Sequence, residues 1–289
     1  MKRFFLLLMF IIFFVSCINK KEPMARNSCF SPNDIFFEYE EKYVKSIIIN
    51  GTIYDTIPIK IFFDTGSPLN NDSVALSDSF KQMFENDIFL FKIKQKNYVA
   101  HPQYMNRDNN FLKSHGQNTI IVGWRFFEHK IIEISYQNKY IRELDNLEKL
   151  NEYICIPLEH DEFLEIQAKI FLQKSRIDEK VIIDTGFYGW IEMGYNKAEK
   201  YHVALSDSSI IGGKSINQSY NRWITEADSI CIGSIGYTIS NKFPMTFSEY
   251  KALYSRGGLL GNSFLENFDV VLDLIHYNLY LKPNKIFCL

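Results

Sequence analysis

The sequence contains one six-residue pattern twice, and this internal duplication constrains the fold more than any other feature. Three apolar residues followed by Asp-Thr-Gly occur at residues 61–66 and again at residues 181–186. The two aspartates, Asp64 and Asp184, are 120 positions apart. Self-similarity at a fixed distance is the sequence signature of a repeated structural unit. The chain is therefore expected to contain two copies of one fold.

A second similarity follows each copy of the pattern. Two apolar residues and a glycine occur at 121–123 and at 259–261, and each group leads into two short apolar stretches around a polar turn, at 132–141 and 272–281. Such tails predict β-hairpins, and the apolar residues before each Asp-Thr-Gly predict strands that end in a turn. The sequence therefore predicts a mostly all-β chain.

Helical patterns are few. Segments 77–89 and 142–151 each allow a helix or a turn, and 263–268 suits one short helix. Because residues 143–152 are polar and lack a strand pattern, we interpret them as the connection between the halves. The predicted domains are an N-terminal lobe at 35–150 and a C-terminal lobe at 151–289.

The N-terminus has the three parts of a secretory signal: a basic start, an apolar core and a small residue at the end. The apolar run is 12 residues, 4–15, too short for a spanning helix. Residues 14–17 resemble the lipobox of bacterial lipoproteins, although that box more often has Leu where Phe14 stands. The resemblance implies a signal peptide at 1–16, lipidation of Cys17 and a tether at 17–34. An ordinary signal peptide with an incidental cysteine is the alternative.

The expected location is the bacterial cell envelope, on the periplasmic or outer-surface side, because more than one acyl chain anchors a protein stably to a membrane. The formal net charge of -2 excludes the basic footprint of a nucleic-acid-binding protein. An exported location permits disulfides among the other four cysteines, and isolated thiols are an equally open reading. These cysteines are Cys29, Cys155, Cys231 and Cys288.

The two Asp-Thr-Gly triplets, each behind a predicted strand and each followed by the apolar-apolar-Gly group, resemble the aspartic protease superfamily, the clan of pepsin and the retropepsins. The resemblance covers residues 55–145 and 155–285, and each half is similar in length to the short retropepsin subunit. It implies a bilobal acid-protease fold, in which two retropepsin-like β-barrel lobes in one chain are related by a pseudo-two-fold axis. A monomer would then suffice for the active site.

The expected function is that of a lipid-anchored aspartic endopeptidase acting on peptide or protein substrates. Two carboxyl groups about 3 Å apart cannot both ionise readily, so Asp64 and Asp184 would share one proton. The ionised carboxylate would take a proton from a water molecule, while the protonated carboxyl would polarise the scissile carbonyl. This chemistry needs no metal and no organic cofactor.

The resemblance implies supporting roles for other residues around the aspartates, namely Thr65, Gly66, Ser67, Thr185 and Gly186. The threonines would cross-link the two loops, the glycines would allow close approach, and the Ser67 hydroxyl would bond to Asp64. Phe187 departs from this pattern because phenylalanine cannot donate a hydrogen bond. The two aspartates are therefore expected to be unequal.

A protease of this kind also needs a flap over its cleft. Gly212 and Gly213, in the run Ile-Ile-Gly-Gly, are the flap candidates in the second half. The corresponding part of the first half is expected at 92–117, with Tyr98 and Tyr104 as possible contacts, although each tyrosine alone is more often a core residue.

A second function remains open from the sequence. The same bilobal lipoprotein could be catalytically inactive and could hold a peptide or a glycan in its cleft. Phe187 and the poorly defined flap of the first half favour this binding function. The presence of both aspartates and both threonines favours the enzyme.

Overall fold

The structure is a computed structural model. Where apolar residues alternate in the sequence, the chain forms strands. The structure describes residues 30–39, 45–70, 73–77, 88–105, 118–214, 219–233, 237–239 and 242–284. The predicted signal peptide, Cys17, most of the tether, Cys29 and Cys288 lie outside the described residues, as do 78–87 and 106–117.

Strands form most of the described chain, and this confirms the all-β prediction. In chain order they are β1 (Ile35–Tyr39), β2 (Ile47–Ile53), β3 (Ile57–Phe63), β4 (Ser73–Ser77), β5 (Phe89–Ile93), β6 (Lys96–Met105), β7 (Thr119–Val122), β8 (Ile131–Ser135), β9 (Tyr140–Leu144), β10 (Ile154–Pro157), β11 (Glu159–His160), β12 (Leu164–Leu172), β13 (Ser175–Asp184), β14 (Ile191–Gly194), β15 (Ile210–Lys214), β16 (Ser219–Ala227), β17 (Ser229–Ile232), β18 (Tyr237–Ile239), β19 (Phe243–Ser248), β20 (Leu259–Gly261), β21 (Phe268–Asp273) and β22 (Asn278–Pro283).

Helices are short. They are α1 (Tyr195–Lys200) and α2 (Asn262–Leu265), with 3-10 turns at Trp124–Phe127, Asp207–Ser209 and Lys251–Leu253. The short helix expected at 263–268 is present as α2. Of the helix or turn allowed at 142–151, the structure has turns, with the Leu150 nitrogen donating to the Leu147 carbonyl at 3.1 Å. The residues up to Leu144 continue β9 in its pairing with β8. The possible helix at 77–89 falls mostly outside the described residues.

Strand pairing repeats between the two halves of the sequence. In the first half β3 lies parallel to β7, β4 lies antiparallel to β7, and β4 lies parallel to β6. In the second half β13, β20, β14 and β19 have the same three relationships in the same order. The duplication seen in the sequence is thus a duplication of strand topology.

The two predicted hairpins join the halves. Hairpins β8–β9 and β21–β22 form as expected, and β8 pairs antiparallel with β21, with Glu133 opposite Val271. Strand β1 extends this sheet beside β9, and β10 extends it beside β22. Both halves therefore contribute strands to one continuous sheet, and residues 33–289 form one compact unit.

The core lies inside these sheets and is made of Ile, Phe, Leu and Val side chains. Its largest fully buried side chains include Trp124, Phe63 and Phe264. Cys155 and Cys231 are both free thiols. Within the described part of the chain, no helix combines the length and the apolar character needed to cross a membrane.

Candidate active site

Each of the two aspartates stands at the end of a buried strand. Asp64 directly follows β3, and its backbone nitrogen donates to the Val122 carbonyl at 3.0 Å. Asp184 is the last residue of β13 and lies opposite Gly261 of β20. Apolar neighbours on both strands hold the chain in place up to the aspartate, and the Asp-Thr-Gly turn then carries the carboxyl group out of the sheet. We call residues 64–67 the first loop and residues 184–187 the second loop.

Thr65 and Thr185 join the two loops through reciprocal hydrogen bonds. The Thr65 hydroxyl donates to the Ile183 carbonyl at 2.7 Å and accepts from the Thr185 nitrogen at 2.9 Å. The Thr185 hydroxyl donates to the Phe63 carbonyl at 2.8 Å and accepts from the Thr65 nitrogen at 3.0 Å. Both threonines are completely buried. The structure thus brings Thr65 and Thr185 together at the junction of the two loops.

Gly66 and Gly186 allow the loops to approach each other closely. A β-carbon added to Gly66 would lie 2.4 Å from Cγ of Asp184, and one added to Gly186 would lie 2.5 Å from Cγ of Asp64. Real β-carbons do not approach other atoms this closely, so each position excludes a larger residue unless the opposite aspartate moves. Each glycine nitrogen also donates to the aspartate of its own loop, Gly66 to Asp64 at 3.0 Å and Gly186 to Asp184 at 2.8 Å.

The environment raises the pKa of both carboxyl groups. Burial raises the pKa of Asp64 to about 6, against hydrogen bonds from Asp184 and from backbone N–H groups that favour its charged form. Burial and then the charge of Asp64 raise the pKa of Asp184 well above its usual value. Because each carboxyl changes the pKa of the other, the two groups titrate as a pair.

The residues after the two glycines differ, as the sequence indicated. Ser67 donates to Asp64 through its backbone nitrogen, and its hydroxyl makes no hydrogen bond to that carboxyl among the contacts of the described residues. The Phe187 ring packs against Gly261, where an added β-carbon would lie 2.5 Å from the ring. The ring is buried in the strand layer, so it fills space beside the loop and leaves Asp184 with backbone donors.

Gly212 and Gly213 lie on β15, which forms a hairpin with β16. The turn of this hairpin, 215–218, is outside the described residues. Nothing lies within 4 Å of a β-carbon added to Gly212, whereas one added to Gly213 would lie 2.4 Å from Cδ of Arg222. Gly213 is therefore the position where the hairpin needs glycine, because the Arg222 side chain crosses over it.

The first half contains no equivalent of this hairpin at 92–105. Strands β5 and β6 occupy that region and pair with β2 and β4, as β17 and β19 pair with β12 and β14. The hairpin β15–β16 lies between β14 and β17, where 34 residues connect the strands, whereas only 11 residues connect β4 to β5. Residues 89–105 do form a hairpin of their own, β5–β6, whose pairing corresponds to that of β17 and β19. The flap expected at 92–117 stays a prediction, because 106–117, like the Tyr104 side chain, are not described.

Tyr98 belongs to the core beside this region. Its ring centroid lies 4.8 Å from that of Phe126 and 5.3 Å from that of Phe91. Burial raises its pKa. Tyr98 is thus a packing residue and not a contact over a cleft.

Sequence analysis missed a pair of contacts that reinforce the loops. The residue after each apolar-apolar-Gly group donates a hydrogen bond to a carbonyl in the other half: Trp124 Nε1 to Glu162 at 3.3 Å, and Asn262 Nδ2 to Lys45 at 2.6 Å. Both acceptors lie two residues before a strand, β12 or β2. No sequence pattern linked Trp124 with Asn262, because an indole makes the hydrogen bond in one half and a side-chain amide makes it in the other.

Asn262 also supports the second loop directly. Its Nδ2 donates to the Thr185 carbonyl at 2.5 Å, and its Oδ1 accepts from the Tyr136 hydroxyl at 2.6 Å. Asn262 is completely buried. One side chain therefore connects the second loop to two segments of the first half.

A buried ion pair lies between the second loop and the hairpin. Arg222 of β16 and Glu192 of β14 are 4% and 1% exposed, and their Nη2 and Oε2 atoms are 2.6 Å apart. Arg222 Nη1 also donates to the Tyr188 hydroxyl at 2.5 Å. Tyr188 directly follows the second loop, so this pair connects the hairpin to it.

No group of three His, Cys, Asp or Glu side chains able to hold a metal ion occurs in the described residues. The paired carboxyls are therefore the clearest candidate site there, and the chemistry they can perform is proton transfer to and from a bound water molecule. A scan against models of known protein families found no match to this sequence, and a search among curated proteins found no match either.

Proposed function

We propose that this protein is an aspartic-type endopeptidase whose dyad is Asp64 and Asp184. The observation that carries the proposal is the set of reciprocal Thr65–Thr185 hydrogen bonds, which joins the two aspartate loops, together with the effect of each carboxyl on the pKa of the other. Two carboxyls that share one proton can act as base and acid in the same reaction, which a single carboxyl cannot do.

In the proposed reaction, the ionised carboxyl of the dyad accepts a proton from a water molecule as that water attacks the peptide carbonyl. The other carboxyl donates a hydrogen bond to the carbonyl oxygen and stabilises the negative charge that develops there. The dyad then gives a proton to the departing amine. Asp64, whose charge raises the pKa of Asp184 well above its usual value, is the member that carries the charge in the resting pair.

We extend the proposal to the fold. The two halves would be retropepsin-like lobes related by a pseudo-two-fold axis, and one chain would hold a complete active site. The repeated pairing of β3, β7, β4 and β6 by β13, β20, β14 and β19 supports this arrangement. The exchange of hydrogen bonds between the loops supports it as well.

We also propose that the protein is a lipoprotein anchored through Cys17, with its substrates being peptides or proteins of the cell envelope. The support is the lipobox-like run at 14–17 after a short apolar segment. Labelling of cells with a fatty-acid probe is expected to mark the wild-type protein and not a Cys17→Ala variant.

A binding lipoprotein without catalysis is the second candidate. Phe187 in place of a hydroxyl residue favours it, as does the lack of a counterpart to β15–β16 among the described residues of the first half. Such a protein would hold a peptide or glycan in the same cleft.

The deciding experiment is cleavage of denatured casein by the full-length protein in detergent, from pH 4 to 8. We expect cleavage that a pepstatin-type inhibitor blocks and that a metal chelator does not. Asp64→Asn and Asp184→Asn provide the negative controls, and Asp145→Asn, an exposed aspartate, provides the matched positive control. Peptide binding without any cleavage over this range would favour the binding function instead.

A further inference from the structure

The hydroxyl group of Tyr188 has an oriented hydrogen that no neighbour takes. Arginine has donors only, so the phenol oxygen of Tyr188 must accept the hydrogen bond from Arg222 Nη1. Its own O–H then points away from Arg222. Among the described residues, no acceptor receives that hydrogen. Within the described part of the chain, the Tyr188 hydroxyl is therefore a hydrogen-bond donor that a ligand could use.

This donor belongs to the residue that directly follows the second loop. Tyr188 is the fourth residue after Asp184, and its own carbonyl accepts from the Ser263 hydroxyl at 2.6 Å, which fixes the backbone there. The side chain is 41% exposed although it contacts a buried arginine. Its position combines a fixed backbone, a fixed oxygen and access from solvent.

The ion pair behind Tyr188 is what fixes that oxygen. The Arg222 guanidinium is held by Glu192 on one side and lies over the Tyr188 ring, 5.4 Å from its centroid. Arg222 is almost completely buried, so it cannot turn towards solvent without leaving Glu192 unpaired. Arg222 thus determines where the phenol hydrogen points.

The hairpin supplies an apolar surface on the same side. Ile211 lies opposite Arg222 in the β15–β16 register, so the two side chains share one face of the hairpin. Ile211 is 37% exposed. Ligand sites combine apolar side chains with a few placed polar groups, and Ile211 and the Tyr188 hydroxyl, which both neighbour Arg222, supply one of each.

We propose that Tyr188 is a substrate-binding residue, which donates a hydrogen bond from its hydroxyl to an acceptor oxygen of the bound peptide, and that Arg222 is the positioning residue that orients it. The inference rests on the proposed function, because the peptide is the substrate of that same site. The acceptor is either a main-chain carbonyl or a side-chain amide or carboxylate next to the scissile bond.

The test is Tyr188→Phe in the full-length protein, with a synthetic peptide spanning the casein bond that the wild type cleaves fastest. Loss of one hydrogen bond to a neutral acceptor corresponds to about 3–10-fold in affinity. We expect KM to rise by that factor while the acidic limb of the pH profile stays unchanged. Tyr254→Phe, at a tyrosine of similar exposure, is the matched control. A KM within two-fold of the wild-type value overturns the inference.

Peptide variants distinguish the two kinds of acceptor. At each position flanking the scissile bond, a peptide with Gln is compared with a peptide with Met. If the acceptor is a side chain, Tyr188→Phe raises KM for the Gln peptide only. A main-chain acceptor gives the same rise in KM for both. If the wild type cleaves no peptide, the proposed function fails, and the comparison of wild type with Tyr188→Phe is made on the Kd of denatured casein itself. Equal Kd values for wild type and Tyr188→Phe then overturn the inference as well.

A double-mutant cycle tests the role of Arg222. Arg222→Lys keeps a cation for Glu192, but one ammonium group cannot reproduce the fixed fork that also reaches Tyr188. We expect Arg222→Lys to raise KM and Tyr188→Phe to add nothing further in that background. Additive effects would mean that Arg222 acts only on stability and would overturn its positioning role.

Discussion

The hydroxyls of Thr65 and Thr185 each bind one carbonyl and one N–H group of the opposite loop and the strand before it. Every donor and acceptor of this exchange is buried. The contact is therefore both the junction of the two halves and the support of the two carboxyls. Loss of either hydroxyl should affect stability and activity together.

We expect Thr65→Val to destabilise the protein and to reduce turnover strongly. Valine has the same shape, but it leaves the Ile183 carbonyl and the Thr185 nitrogen without partners, at about 1–3 kcal/mol for each buried group. Thr65→Ser keeps the hydroxyl and loses one methyl group, which corresponds to about 1 kcal/mol. Chemical denaturation and cleavage assays on both variants measure the difference. Equal stability of the valine and serine variants would show that the hydroxyl exchange contributes nothing.

Asp64→Asn should abolish turnover and stabilise the folded protein at pH 7. Folding raises the pKa of this carboxyl to about 6, so the folded state favours its protonated form. Its contribution to stability is therefore greatest below the usual carboxyl pKa and is lost as pH rises through about 6. A neutral amide removes this penalty, and we expect a gain on the order of 1–3 kcal/mol.

The gain should depend on pH, which separates it from a simple packing effect. At pH 4 the carboxyl of Asp64 is mostly protonated in the folded state, so the amide variant should there be about as stable as the wild type. Asp145→Asn, on the surface, should leave the stability unchanged both at pH 4 and at pH 7. A stabilisation by Asp64→Asn of the same size at pH 4 and at pH 7 would contradict the raised pKa.

The pH dependence of cleavage should have its acidic limb near pH 6. The active form of the dyad holds one proton, and the raised pKa of Asp64, about 6, makes the doubly protonated pair dominant below that value. We expect kcat/KM to rise through about pH 6 and to fall again only when the second carboxyl, Asp184, ionises. Initial rates on one peptide from pH 3.5 to 8.5 measure both limbs. A maximum near pH 4 would mean that the pair is better solvated than the structure indicates.

The strand framework could be predicted from the sequence because it depends on local patterns that occur twice. Alternating apolar residues, the Asp-Thr-Gly turns and the polar turns of the two tails each determine a strand or its end. The tails did form hairpins, β8–β9 and β21–β22. Because each local pattern occurs in both halves, one copy supports the strand or turn predicted from the other.

The asymmetric parts could not be predicted in this way. Sequence comparison of the halves assumes that each feature has a counterpart, whereas the connection from β4 to β5 is too short to repeat the hairpin β15–β16. The connection from Arg222 to Tyr188 was also missed, because it joins residues 34 positions apart in different elements. A buried arginine has no signature in a single sequence.

Asn262 tests whether the second loop needs support from the first half. Its side chain fills three hydrogen-bonding roles, with Thr185, Lys45 and Tyr136. Asn262→Ala leaves these buried groups without partners, so we expect a loss of about 2–4 kcal/mol in the free energy of unfolding. Because the Thr185 carbonyl lies next to Gly186, which packs on Asp64, kcat should fall while KM changes little. Asn118→Ala, which removes one exposed hydrogen bond, is the control, and equal effects of both variants would show that Asn262 does not position the loop.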